Sequence, residues 1–137
     1  MSGLTRFSIS LEKALLEKFD LQLKQDGCPT RSKGVADLVR ESLVKHEWKG
    51  GREVAGAVLM VYDHHKRDLS NKLTNVQHDF HHLIISSQHI HLDHDNCLEM
   101  VVVRGKPRDV EVFYGKMKGT KGVKYANLAI ASTGKAL

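Results

Sequence analysis

The stretch Gln88-His89-Ile90-His91-Leu92-Asp93-His94-Asp95-Asn96-Cys97 decides how the rest of the chain is read. His89 and His91 are two apart in a run with strand-like alternation, so both imidazoles point to one face. Asp93-His94-Asp95-Asn96 has the composition of a turn. Cys97 opens the next apolar run, Cys-Leu-Glu-Met-Val-Val-Val to Val103. A hairpin here folds the thiol back toward the two rings. His78 stands eleven residues before His89, in a segment that reads as a helix. His78, His89, His91 and Cys97 together suit a late first-row divalent metal, since calcium and magnesium prefer oxygen donors. Zinc in a tetrahedral site and nickel(II) or copper(II) in a planar one all fit, and spacing does not choose among them. Blander readings stand beside this one. A His-x-His pair occurs on strands without a metal, and a single cysteine is a small core residue. His78, His81 and His82, at i, i+3 and i+4, also describe a solvated helix face.

Working outward, the hairpin falls inside a longer alternation of elements. Val54 to Val61 is an apolar strand. Lys66 to His82 reads as a helix carrying Leu69, Leu73, Val76 and Phe80. Leu83 to His91 and Cys97 to Val103 are the hairpin strands. Pro107 to Lys118, with Val110, Phe113 and Met117, is a second helix, and Val123 to Ala131 a last strand. The order βαββαβ predicts a ferredoxin-like sheet.

Gly50-Gly51 separates this part from a different N-terminal unit. Leu4 to Leu11 alternates, with Phe7, Ile9 and Leu11 on one side and Arg6, Ser8 and Ser10 on the other. From Leu11 to about 26 the period becomes helical: Leu11, Leu15, Phe19 and Leu23 form a stripe that Gly27 ends. Thr30 is a good N-cap for a second helix running to about Trp48, with Val35, Leu38, Val39, Ser42 and Leu43 as its stripe. A lone strand and two helices in about 50 residues bury little core. Pairing two such strands in a dimer relieves both the bare strand edge and the small core. The expected domains are therefore 1–50 and 51–137 of an α+β protein, with a βαα unit first.

The chain has 137 residues, 41% of them hydrophobic, so a folded protein is expected. No apolar run approaches the ~18 residues needed to span a bilayer, and the N-terminus lacks an apolar signal core, so a cytoplasmic protein without a membrane partner is expected. Two cysteines, Cys28 and Cys97, in segments of different character argue against a disulfide framework. The net charge of +5 is spread along the chain and permits nucleic-acid binding without demonstrating it. Nine histidines are the anomaly, and eight of them fall between His64 and His94.

Arg6-Phe7-Ser8-Ile9-Ser10-Leu11, with Arg31-Ser32 opening an amphipathic helix, resembles the ribbon–helix–helix DNA-binding family, in which a two-stranded ribbon enters the major groove. Asp63-His64-His65-Lys66-Arg67-Asp68-Leu69, Gln77-His78, His81-His82 and His89 through Glu99 resemble the NikR family of nickel-responsive regulators, and that likeness covers essentially the whole chain. The resemblance implies a ribbon–helix–helix domain followed by an ACT-type domain, and a homotetramer made as a dimer of dimers. It implies one Ni²⁺ per subunit in a planar site, held by His89, His91 and Cys97 of one subunit and His78 of a neighbour. Gln77 and Glu99 become candidates to orient ligand imidazoles. His64 and His94 occupy positions able to join weaker metal sites, although as surface histidines they need no such role.

The partner implied is a palindromic duplex DNA operator. Arg6, Ser8 and Ser10 would read base edges, while Arg31, Ser32 and Lys33 would hold phosphate at a helix N-terminus. The implied function is nickel-dependent repression of nickel-uptake genes. One departure stands out: Lys33 replaces the acidic residue that, with the carboxylate at Asp37, holds a hard cation in relatives. Lys33 and Asp37, at i, i+4, are expected to pair instead. Two other classes fit parts of this sequence. An ACT-type fold also suits a small-molecule regulator with incidental histidines. An enzyme is disfavoured, because four protein ligands leave a four-coordinate metal no open position and no clear nucleophile–base pair is present.

Overall fold

The computed structural model describes residues 3–137. Two compact units divide within a helix, one ending at Arg40 and the other running from Glu41 to Leu137.

In the first unit, residues 3–12 carry no regular secondary structure. The strand expected at Leu4–Leu11 does not form in the single chain. A strand is defined by ladder partners, and the expected partner is another copy. Phe7, Ile9 and Leu11 are accordingly exposed, at 72%, 55% and 44%. Helix α1 spans Lys13–Gln25 and α2 spans Arg31–Glu47. Gly27, at φ 70°, ends α1 as predicted. Its N–H donates to Lys24 O and that of Cys28 to Leu23 O, the paired bonds of a Schellman motif. Thr30 caps α2, its Oγ1 accepting from Lys33 N–H at 3.1 Å. Gly34 sits inside α2 although glycine costs a helix interior about 1 kcal/mol relative to alanine. An added Cβ would stand 2.4 Å from the Leu23 side chain and 3.0 Å from Phe19, so close α1–α2 packing accounts for it.

The second unit is a four-stranded antiparallel sheet with helices on one face. Strands β1 (Val54–Tyr62), β2 (Ile84–His91), β3 (Cys97–Gly105) and β4 (Val123–Ile130) lie in the order β2-β3-β1-β4. Helices α3 (Arg67–Asp79) and α4 (Pro107–Lys118) supply the crossovers. This is the split βαβ order predicted from the sequence.

Alternation fixes the two faces. Val54, Val58, Met60 and Tyr62 of β1 and Cys97, Val101 and Val103 of β3 are buried with Leu69, Leu73, Val110, Phe113 and Met117 from the helices. Each such aliphatic or aromatic side chain contributes about 1.5–3 kcal/mol by leaving water. The opposite face carries Leu59, Val61, Leu98, Met100 and Val102, half-buried, with Ile90 and Tyr125 exposed.

Helix α3 is shorter than expected. It stops at Asp79, and His81–Leu83 form a 3-10 turn. Phe80 turns its ring toward Phe113, centroids 5.4 Å apart, and Leu83 is buried, so the chain must leave the helical path to place both.

The last turns of α2 pack on the sheet. Trp48 donates its indole N–H to Ala131 O at 2.8 Å, and Ser132 Oγ lies 3.1 Å from both Glu47 carboxylate oxygens. Gly56 makes room for this ring: a Cβ there would lie 2.8 Å from Ala129 O and 3.3 Å from Trp48. The carbonyl belongs to the sheet ladder and cannot easily give. Gly56→Ala should therefore lower stability by about 1–3 kcal/mol, read as a reduced urea midpoint. An unchanged midpoint would show that β1 and β4 part without cost.

Candidate metal centre

The β2–β3 hairpin is built as the sequence suggested. In register His91 lies opposite Cys97 and His89 opposite Glu99, so the four share the helix-covered side of the sheet. Asp93 organises the connecting turn. The Asn96 side-chain amide donates to both its carboxylate oxygens at 3.1 Å, and Oδ1 also accepts from the backbone N–H groups of Asp95 (2.9 Å) and Asn96 (2.8 Å), which together hold its pKa below the usual carboxylate value. Lys124 of β4 reaches Asn96 Oδ1 at 2.5 Å and ties the turn to the far side of β1.

β2 is an edge strand, so His89 and His91 remain exposed, with ring centroids 5.3 Å apart. Cys97 is fully buried, and its thiol donates to Tyr62 O at 3.2 Å. Burial raises the thiol pKa. A metal must displace that proton and draw Sγ from the carbonyl. The donor atoms of His89, His91 and Cys97 do not form a cluster closed to within 4.8 Å, as two other groups do. The donor types nonetheless fit a late first-row ion, and register places all three on one face of the hairpin.

His78 is not among these groups. It is exposed on the last turn of α3, where its carbonyl faces His81 Nδ1 at 3.0 Å. Its neighbour Gln77 does reach the hairpin, donating Nε2–H to Glu99 Oε2 at 2.7 Å. Glu99 also accepts the Tyr62 hydroxyl and lies 3.8 Å from His89 Nδ1. It is buried, and desolvation together with this carboxylate pushes the Tyr62 pKa far up. Glu99 thus joins β1, α3 and the ligand strand. Tyr62 had no signal in the sequence beyond its place on the apolar side of β1.

His64 is expected from the sequence to be a surface histidine. Its ring instead packs edge-on to His91 at 4.3 Å, and its Nδ1 is buried without a hydrogen-bond partner. Desolvation, with the neighbouring His65 and His91, lowers its pKa and so favours the neutral ring.

In the first unit Arg6, Ser8 and Ser10 are exposed on the irregular N-terminal segment. Arg31 is engaged: its Nε and Nη2 donate to Asp20 at 2.8 and 2.6 Å, a bidentate pair that lowers the carboxyl pKa. Ser32 is exposed. Lys33 pairs with Asp37 at 2.5 Å, as the i, i+4 spacing predicted, and Arg40 stands 3.5 Å from the same carboxylate.

Sheet order and hairpin together define an α+β protein with a four-stranded antiparallel sheet that carries His89, His91 and Cys97 on its β2–β3 hairpin. Residues 55–131 match the NikR C terminal nickel binding domain, and the chain belongs to that family. A nickel-responsive regulator assigned in Syntrophus aciditrophicus is 48% identical over 134 residues, covering 98% of both chains. One from Chlorobaculum tepidum is 50% identical over 132 residues, covering 96% of this chain and 98% of its own. One from Solibacter usitatus is 49% identical over 135 residues, covering 98% and 97%. Among solved structures, an uncharacterized protein of Thermotoga maritima is 11% identical at a TM-score of 0.54, covering 59% of this chain and all of that one, a likeness of fold alone. Among the described residues no helix is long and apolar enough to cross a membrane.

Proposed function

We propose that this protein is a nickel-dependent, sequence-specific DNA-binding regulator that represses nickel-uptake genes. One Ni²⁺ per subunit is held by His89, His91 and Cys97, with His78 contributed by a neighbouring subunit. The observation that carries this reading is the hairpin register, which sets His91 opposite Cys97 and His89 opposite Glu99. His78 directly follows Gln77, whose bond to Glu99 ties the end of α3 to the ligand strand. Nickel would supply a link between these donors across a subunit boundary, and the chain's own part would be to hold them.

Residues 1–50 act as the ribbon–helix–helix domain and 51–137 as the ACT-type domain. Pairing of two N-terminal strands would cover the exposed Phe7, Ile9 and Leu11 and turn Arg6, Ser8 and Ser10 toward base edges of a palindromic operator. Arg31, fixed by Asp20, keeps its Nη1 amino group for phosphate, beside Ser32 and Lys33 at the start of α2. The apolar outer face of the sheet, with Ile90 and Tyr125 exposed, supports assembly of two dimers into a tetramer. Nickel that bridges subunits favours one arrangement of the tetramer, and linkage requires DNA to tighten nickel in return.

The test is operator binding at fixed salt with nickel, copper, zinc or no metal. Equal affinity of the apo and nickel-loaded proteins would defeat the proposal. A second expectation concerns Lys33. Its ammonium already occupies the carboxylate of Asp37. Lys33→Glu should make operator affinity depend more steeply on potassium, measured by titration in potassium against a bulky organic cation. No change would mean that the ammonium does not stand in for a cation.

A further inference from the structure

We propose that Trp48, Glu47 and Ser132 form a clamp that makes the end of α2 part of the sheet, so that the response to metal reaches α2 through these side chains and not through the loop at Gly50-Gly51. The proposal rests on the reading of this chain as a metal-dependent DNA-binding regulator. α2 is one helix from Arg31 to Glu47, with Arg31, Ser32 and Lys33 in its first turn. Backbone bonds from Trp48 N–H to Val44 O at 3.2 Å and from Gly50 N–H to Glu47 O at 3.0 Å carry its winding up to the glycine pair. Two successive glycines make a soft join that transmits position poorly.

The clamp bypasses that join. Trp48 is 8% exposed, seated against the bare backbone of Gly56, and its indole N–H meets Ala131 O at 2.8 Å. Ala131 is itself held, its N–H donating to Ala55 O at 2.9 Å. Ser132 Oγ lies 3.1 Å from both Glu47 oxygens and accepts the Gly134 N–H at 3.0 Å, which leaves its hydroxyl proton for the carboxylate. Val44, one turn earlier, packs on the core. Apolar burial and a charge-assisted bond together fix the helix end to β1 and to the chain just after β4.

The donor hairpin is at the other end of β1. Tyr62 pairs with Cys97, about 20 Å along the strand from Gly56. The clamp touches no metal donor, so its loss should leave metal affinity intact and change only what metal does to DNA binding.

The experiment inserts Gly-Ser-Gly-Ser between Gly50 and Gly51 of the full chain, with and without Trp48→Ala. The operator duplex is first selected from random-sequence DNA with the nickel-loaded parent. The reading is the gain in operator affinity on adding nickel, commonly about 5–150-fold for coupled ligands. Insertion alone should leave that gain within about twofold of the parent's, because the clamp carries the signal. In Trp48→Ala the same insertion should erase most of it. Trp48→Phe, which keeps a ring without the indole N–H, should lie between and serves if Trp48→Ala unfolds. Equilibrium dialysis should show equal nickel affinity throughout, which a general loss of stability would not give. Trp48 is the chain's single tryptophan, so its emission reports the seat directly and should stay blue, as for a buried indole, after the insertion. Loss of the gain on insertion alone, emission shifted to that of a water-exposed indole, or a full gain in Trp48→Ala with the insertion overturns the inference. A parent without any gain defeats the reading of function instead, and the emission then decides whether the clamp seats α2 independently of the loop.

Discussion

Cys97→Ala is expected to abolish the response to nickel while leaving metal-free DNA binding unchanged. The thiolate is the strongest donor of the proposed set, and removing it leaves imidazoles alone on the hairpin. Loss of a group that merely orients a ligand costs about 10–100-fold in affinity. Loss of the thiolate should cost at least about 100-fold. Nickel at concentrations that switch the parent should then shift operator affinity less than about twofold. Cys97 is fully buried, so Cys97→Ser serves as a second variant of similar size. The hydroxyl keeps the volume but stays protonated and is a poor ligand. Because burial raises the thiol pKa, nickel must release a proton on binding. The parent's nickel affinity should fall as pH is lowered, and that slope should flatten in both variants. A normal nickel response in Cys97→Ala would remove Cys97 from the site.

Glu99→Ala should be the most damaging change that removes no ligand. Glu99 is buried and accepts hydrogen bonds from the Tyr62 hydroxyl and the Gln77 amide. Alanine leaves both donors facing a void, at about 1–3 kcal/mol for each buried group left unpaired. It also removes the carboxylate beside His89 and the only hydrogen bond drawn from α3 to the ligand strand among the described residues. A lower urea midpoint and about 10–100-fold weaker nickel binding are expected together. Glu99→Gln separates the two effects. It retains shape and one acceptor, so most stability should return, while the charge that steadies a ligand imidazole does not. Full nickel affinity in Glu99→Gln would show that packing alone explains this residue.

Local signals were legible wherever the relevant partner lies within a few residues. Gly27 ended α1, Thr30 capped α2, and Lys33 met Asp37 one turn on. The stripes Leu69–Leu73 and Val110–Phe113–Met117 pointed to the core because a helix repeats its face every three to four residues. Illegible features depended on distant partners. Nothing near Arg31 names Asp20, eleven residues back, and the pair arises from the α1–α2 packing that Gly34 permits. The strand expected at Leu4–Leu11 has the right alternation but lacks its ladder in one chain. Helix α3 ends at Asp79, three residues before the expected His82, since the burial of Phe80 and Leu83 outweighs continued helical bonding.

The donor types and their common face were written in the amino-acid order itself. Alternation is local, so His89 and His91 had to share one side of any strand containing both, and a short turn had to return Cys97 beside them. Which groups surround those donors came only from folding. Tyr62 meets Cys97 across 35 residues because β3 inserts between β2 and β1. That one pairing places Glu99 beneath the Tyr62 hydroxyl, His64 against His91, and His65 next to His94. Strand order is a global outcome of burying both helices on one sheet face, and no periodicity along the chain encodes it.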